Sequence, residues 1–368
     1  MSQIHFRILP PISQPDEPIF VLGSHAALGS WNPQAGLRLT WEAPFHVGML
    51  EAETGEHLEY KITRGSWETE AVDAYGNVPS NQAAEVWLDA TLHHTIADWK
   101  DRCAGRLTRD RVASRILAGG RDLVIWLPPG YGVRSDHRFP LAIFSDGANV
   151  FDPATSVLSG VDIAADEWVT RLFAEGTLPE MVVVGVCHPE GFSEENYSLR
   201  DYDLSPELGG AAYAEFVATE LIPYLDTHYR TVPSASARLL AGTSLGGLNA
   251  FYTVLHHPGT FGNVIGLSTS FEDVSQVPPA YCAHLHALAA EPALPAGLRM
   301  FFDYGTVGLD ECYDGYHRDL AGLFREKGWR EGEQFQIKQI PGGTHDEVSW
   351  RQRLGDGLRF IAANLPQS

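Results

Sequence analysis

Five residues, Gly242-Thr243-Ser244-Leu245-Gly246, have the types and spacing of a nucleophile turn. A serine hydroxyl attacks a carbonyl only when a base takes its proton and the resulting oxyanion is bound, so it must stand clear of its own backbone. Glycines two residues to either side let the incoming and outgoing chains approach closely around a sharp bend. The flanks agree with this. Leu239-Leu240-Ala241 is an apolar run suited to the end of a buried strand, and Gly247 to Leu255 reads as a helix. Leu245 N–H, at the head of that helix, is a candidate oxyanion donor. The chemistry implied is serine-dependent hydrolysis.

A turn of this kind needs a sheet beneath it. From Val112 onward, apolar runs alternate with helical stretches: Leu123–Leu127, Leu141–Phe144, Met181–Val186, Val264–Leu267, Arg299–Phe302 and Phe335–Ile340, with a helix over Tyr213–Leu225. Continuous apolar strands between helices predict a mostly parallel sheet covered on both faces, with reactive groups at the strands' carboxyl ends.

A length of 368 residues suggests two domains, and 44% hydrophobic with 20% charged residues is a globular composition. The net charge of −21, without a Lys/Arg cluster, argues against nucleic acid as a partner. Four scattered cysteines (103, 187, 282 and 312) lack metal-type spacing and fit a reducing compartment. No basic-then-apolar leader opens the sequence, and no run reaches the roughly 18 apolar residues of a membrane span, so a cytoplasmic protein without membrane association is expected.

The first hundred residues differ. Ile19–Leu22, Phe45–Leu50, Leu58–Thr63 and Glu85–Leu88 are short runs separated by Asn, Gly, Pro and Asp clusters, with no helical stretch. An all-β, Ig-like sandwich over residues 1–98 is expected, then a polar, locally basic linker over 99–112, then the α/β domain over 113–368. Arg102, Arg106, Arg109 and Arg111 are read as a solvated or interdomain face and not as a binding patch.

Two resemblances sharpen this reading. Gly23-Ser-His-Ala-Ala-Leu-Gly-Ser-Trp31, Trp41, Tyr60-Lys61 and Trp67-Glu68 resemble the family 20 starch-binding modules in order and spacing. That resemblance implies a carbohydrate-binding-module-like domain with a candidate glycan site at Trp31, Lys61 and Trp67, flat rings suiting sugar faces. It equally allows a sandwich that serves as a lid or a dimerisation surface. Leu127-Pro-Pro-Gly-Tyr131, Phe144-Ser-Asp-Gly-Ala-Asn-Val-Phe151, Leu199-Arg-Asp-Tyr-Asp-Leu204, Glu220-Leu-Ile-Pro-Tyr224, the serine turn and Gly342-Gly-Thr-His345 together resemble the esterase D family of α/β-hydrolases. Enterochelin and feruloyl esterases belong to that family.

An α/β-hydrolase runs nucleophile, acid, histidine along the chain. The histidine belongs on the loop after the last strand, and His345 fits there. The acid belongs after Arg299–Phe302, where Asp303, Asp310, Glu311 and Asp314 compete. The family places its acid shortly after a Gly-Thr, which favours Asp310 behind Gly305-Thr306. The second oxyanion donor is expected on Ser145–Asn149, from Gly147 or Ala148 N–H, with Asp146 orienting the loop. Arg200 matches an arginine near the pocket of such esterases and either binds substrate or pairs with Asp201 or Asp203. An apolar wall is expected from Phe192, Tyr197, Tyr202 and Phe271, on loops spanning 152–162, 188–210 and 270–298. The triad needs no metal or cofactor.

These residues imply a serine carboxylic ester hydrolase (Ser244, His345, Asp310) acting on small sugar-linked or aromatic esters of feruloyl or acetyl type. The alternatives are a siderophore trilactone esterase, acyl transfer to a sugar, and a non-catalytic glycan-binding protein; a homo-oligomer is compatible with each.

Overall fold

The computed structural model describes residues 1–10, 16–73, 78–96, 98–103, 105–134, 136–156, 160–273, 280–281 and 297–366. Two compact units emerge: Met1–Gly105 with Pro129–Ser135, and Arg106–Pro128 with Asp136–Ser368.

The first unit contains two four-stranded sheets. One orders Thr40–Glu42, Phe45–Ala52, Ser2–Leu9 and Ala90–Thr95; the other orders Leu37–Arg38, Phe20–Gly23, His57–Thr63 and Gln82–Glu85. Their inner faces share one core that includes Ile4, Phe6, Ile8, Val21, Leu58 and Tyr60. Ser2–Leu9 buries alternate residues and pairs with Phe45–Ala52 on one side and Ala90–Thr95 on the other. Ile4, Phe6 and Ile8 face inward and His5 and Arg7 outward, the period-two pattern of a half-buried strand. Two expectations are corrected. The strand placed at Glu85–Leu88 is Gln82–Glu85, and Trp87 and Leu88 stand exposed beyond its end. The segment also holds short 3₁₀ turns at Ala26–Trp31, Pro33–Ala35 and Trp67–Thr69.

The strands of the second unit are numbered β1 Arg106–Val112, β2 Arg121–Leu127, β3 Leu141–Ser145, β4 Val182–Val186, β5 Arg238–Thr243, β6 Asn263–Leu267, β7 Arg299–Tyr304 and β8 Phe335–Gln339. They form one sheet in the order β1-β2-β4-β3-β5-β6-β7-β8. The pairs β1–β2 and β2–β4 are antiparallel and the rest parallel. Strand β1 corrects the linker assigned to 99–112. Asp98–Trp99 pairs with Ala71–Val72 in the first unit, and Arg106–Val112 is the edge strand of the second. An edge strand meets solvent along one side, so its polar outer residues resemble a linker in sequence.

Helices α1 (Ala165–Ala174) and α5 (Glu347–Ile361) cover one face of the sheet, sharing a core with Ala142, Val183, Leu239 and Ile265. The helical stretch expected at 213–225 runs from Gly210 to His228 with a π turn at Val217–Leu221, and is numbered α2. Helix α3 (Leu245–His256) follows the serine, and α4 (Asp314–Glu326) follows β7. Phe271, expected in a pocket wall, is core instead, edge-on to Phe251 and Phe302. Residues 157–159, 274–279 and 282–296 of the proposed pocket loops lie outside the described residues. Among the described residues no helix is long and apolar enough to cross a membrane.

His317 of α4 is fully buried, stacked on Tyr304 with ring centroids 4.4 Å apart, its Nδ1 3.0 Å from the Tyr313 carbonyl. Burial pulls this imidazole down to about 4, so the folded state holds it neutral where the unfolded chain, at its ordinary value near 6.5, takes up a proton. The stability this contributes is present above pH ~6.5 and is lost as pH falls towards 4, by about 3 kcal/mol. Urea unfolding at pH 7 and pH 4.5 should show a smaller loss for His317→Gln than for the parent; equal losses would contradict the assignment.

Candidate active site

Ser244 lies between the end of β5 and the start of α3 with φ 55 and ψ −124, a strained conformation for a residue with a side chain. The strain is imposed from both sides. Ser244 N–H donates to Leu267 O at 2.9 Å, and Ser244 O accepts from Ser270 N at 3.2 Å. Gly242 explains the first glycine of the motif: a Cβ there would stand 2.4 Å from the Gly246 carbonyl carbon. The turn is thus clamped onto the chain leaving β6. Leu245 N–H is the first of α3 and has no carbonyl ahead of it within the helix.

The His345 loop follows β8 and is held against the loop after β7. Thr306 N and Val307 N both donate to Gly343 O, at 3.0 and 3.1 Å, and Gly342 N donates to Thr306 Oγ1 at 2.8 Å. The crossing is close: a Cβ on Gly305 would stand 2.1 Å from Gly343 O. This brings His345 Nδ1 to 2.6 Å from Asp310 Oδ1. A carboxylate can only accept, so Nδ1 carries a proton, and in the neutral imidazole Nε2 keeps its lone pair. Trp350 and Tyr313 hold the ring edge-on, at centroid distances of 5.1 and 5.7 Å.

Asp310 is wholly buried. Burial works to raise its pKa, but hydrogen bonds from His345, Ser268 Oγ and Gly305 N–H outweigh it and hold the carboxyl below its ordinary range. The other candidate acids are engaged elsewhere. Glu311 is exposed and accepts from Gly308 N at 3.0 Å, and Asp314 accepts from Tyr304 OH at 2.7 Å. Asp303 accepts from Ser268 N at 2.9 Å and faces Arg353 at 3.4 Å. Ser268 therefore lies on the segment that binds the Ser244 backbone while its own hydroxyl binds Asp310.

On the other side of β5, Asp146 is the left-handed residue (φ 60) that turns the chain from β3 into the 3₁₀ turn Gly147–Asn149. Its carboxylate takes a two-point fork from Arg200, with Nε–Oδ1 2.6 Å and Nη2–Oδ2 2.7 Å. Burial opposes ionisation of Asp146, and the Arg200 charge and hydrogen bonds, aided by His188, overcome it. Arg200 also reaches Asp201 at 3.2 Å, but Asp203 pairs with the buried Arg121 and with His188 Nδ1 at 3.0 Å. His188 and Arg121 were not singled out from sequence, although His188 stands two residues beyond β4, where site residues gather; Asp203 was expected as a partner of Arg200 and pairs with them instead. A cavity of about 400 Å³ adjoins Gly147, lined also by Leu107, Arg109, Val124, Phe151 and Asp152. Arg109 thus belongs to the edge strand's cavity and not to a linker face, while Arg111 pairs with Asp122.

In the first unit, Trp31 and Trp67 come together, with ring centroids 6.3 Å apart and planes at 30°. Gly29, Ser30 and Trp31 are three successive left-handed residues, a loop shape that presents the Trp31 ring. Lys61 is occupied differently: its ammonium pairs with Glu70 at 2.7 Å and donates to Pro79 O at 2.7 Å. Among the described residues Asp162, Asp166 and Glu167 bring ligand atoms within 4.8 Å of one another, but Arg351 already supplies a cation to Asp162 and Glu167.

Residues 114–361 match the Esterase family model, described as "Putative esterase", and residues 1–95 match the model of a starch binding domain. An iron(III) enterobactin esterase of Escherichia coli (strain K12) is 28% identical over 144 residues, 39% of this chain and 34% of that protein. The chain spans 60% and 34% of the lengths of the two curated relatives it matches. A solved ferulic acid esterase aligns with TM-score 0.56 and 20% identity, over 71% of this chain and 98% of that one. The enterobactin esterase of Shigella flexneri, solved in the presence of enterobactin, aligns with TM-score 0.53 and 18% identity, over 95% and 88%. With the family model spanning the strained serine turn and the loops carrying Asp310 and His345, the chain belongs to the Esterase family.

Proposed function

We propose that the protein is a serine carboxylic ester hydrolase in which Ser244 is the nucleophile, His345 the general base and Asp310 the acid that orients it. The observation that carries this reading is the 2.6 Å bond from His345 Nδ1 to the buried, ionised Asp310, which leaves Nε2 free to take a proton. Ser244 Oγ adds to the ester carbonyl as its proton passes to Nε2. The oxyanion is held by Leu245 N–H and by Gly147 or Ala148 N–H. His345 returns the proton to the leaving alcohol, and the same steps with water release the acid. In this reading Arg200 acts through Asp146, fixing the oxyanion loop.

The substrate proposed is an ester linked to a sugar or an aromatic acid. The starch binding domain match and the paired Trp31 and Trp67 rings support a glycan on the first unit. Lys61, bound to Glu70, is a weaker candidate than the two tryptophans. A siderophore trilactone is the second reading, supported by the alignment of both units with an enterobactin esterase. The net charge of −21 opposes it, because a ferric catecholate is itself anionic.

Ser244→Ala should lower kcat/KM on p-nitrophenyl acetate by about 10³-fold or more and abolish labelling by a serine-directed fluorophosphonate. Labelling that survives would move the nucleophile elsewhere. Trp31→Ala and Trp67→Ala should each weaken binding to starch by about tenfold, roughly 1.4 kcal/mol, without altering p-nitrophenyl acetate turnover. Unchanged binding in both would remove the glycan site.

A further inference from the structure

Beneath the Asp310–His345 pair lies an arginine that neither the motif nor the triad requires. Arg353 rises from α5 and is only 5% exposed, unusual for a side chain that cannot lose its charge. Its Nη2 donates to Ser268 Oγ and, at 3.5 Å, to Thr344 O, the carbonyl just before His345. Nη2 also stands 3.6 Å from Asp310 Oδ2, and Nε stands 3.4 Å from Asp303 Oδ2. Trp350, one helical turn earlier, donates Nε1 to the same Ser268 hydroxyl at 2.9 Å. Ser268 Oγ thus receives from Arg353 and Trp350 and passes its own proton towards Asp310.

Resting on the triad reading above, we propose that Arg353 is a positioning residue of the esterase site, holding the Asp310 carboxylate through Ser268 and the His345 loop through Thr344. Nη2 alone donates to the acid's hydroxyl partner and to the histidine's loop, while Nε faces the anchoring Asp303 as an ion pair; the planar guanidinium fixes the two nitrogens relative to one another, which a single ammonium cannot do.

The guanidinium is also a fixed positive charge near an imidazole that must gain and lose a proton. Other groups around this pair are Asp303 on β7, Glu272 beyond β6, Tyr313 and His317 at the head of α4, and Asp356 on α5. Asp303 would cancel the Arg353 charge if it were ionised. Burial, only partly offset by Arg353 and the Ser268 N–H, pushes it up to about 7, so it is largely neutral on the acid side of neutrality. There Asp303 leaves the Arg353 charge uncancelled, with the Asp310 carboxylate between it and His345. Removing it should make the site protonate at higher pH.

The test compares Arg353→Met and Arg353→Lys in the full chain, with Ser244→Ala alongside. Arg353→Met should lower kcat about tenfold or more with KM within about threefold, and should move the acid limb of kcat/KM upward by about half a pH unit or more. Arg353→Lys keeps the charge without the fork, so the limb should stay in place while kcat is restored only in part. If Arg353→Met does not fold, Arg353→Gln takes its place as the neutral variant. A fall in melting temperature with kcat and the acid limb unchanged would overturn the proposal, leaving Arg353 a packing residue. So would equal losses in the lysine and neutral variants with no movement of the limb. Turnover that persists in Ser244→Ala would overturn the triad reading and this proposal together, whereas its loss beside unaffected Arg353 variants would overturn this proposal alone.

Discussion

A carboxylate with no exposed surface that stays ionised is the constraint on which this site depends. Burying a charge is costly unless hydrogen bonds replace its water, and Asp310 receives them from three separate segments. Gly305 N–H comes from its own loop, Ser268 Oγ from the chain after β6, and His345 from the chain after β8. None of these can move without exposing or unpairing the acid. The same segments carry the serine, since Leu267 and Ser270 bind the Ser244 backbone. The hydrogen bonds that hold the buried charge and those that hold the serine turn therefore share one segment, Leu267–Ser270.

The parallel sheet makes this economical. Strands β5, β6, β7 and β8 are adjacent and run the same way, so the turns after them meet at one edge. Each turn supplies one part: Ser244 after β5, Ser268 after β6, Asp310 after β7 and His345 after β8. The Asp146–Arg200 fork performs a similar service on the far side of β5, fixing a left-handed residue where the chain leaves β3.

Much of this could be read from the chain. The glycines around Ser244 announce a turn whose close approach only Gly tolerates, and His345 follows the last apolar strand after two more glycines. What separates Asp310 from Glu311, Asp303 and Asp314 is side-chain direction, which depends on the Gly305–Gly343 crossing between segments far apart in sequence. Arg353 was invisible for a related reason: on a helix with polar residues at many positions, nothing marks which one turns inward. The edge strand Arg106–Val112 was hidden by its polar outer side, whereas Ser2–Leu9 carries a regular alternation of apolar and polar residues that marks a strand. In the first unit the tryptophan spacing was legible, but the capture of Lys61 by Glu70 was not, because it joins residues on different strands and turns.

The proposed triad stands or falls on which carboxylate holds His345. The most direct measurement is kcat for Asp310→Asn beside Glu311→Gln, each with a melting curve to show that the fold is kept. An amide at the acid position preserves shape but lets the imidazole take the wrong tautomer, a loss of about 10⁴ in serine proteases. The geometry predicts a fall of roughly 10²-fold or more for Asp310→Asn and less than about tenfold for Glu311→Gln. A mild Asp310→Asn beside a crippled Glu311→Gln would contradict it.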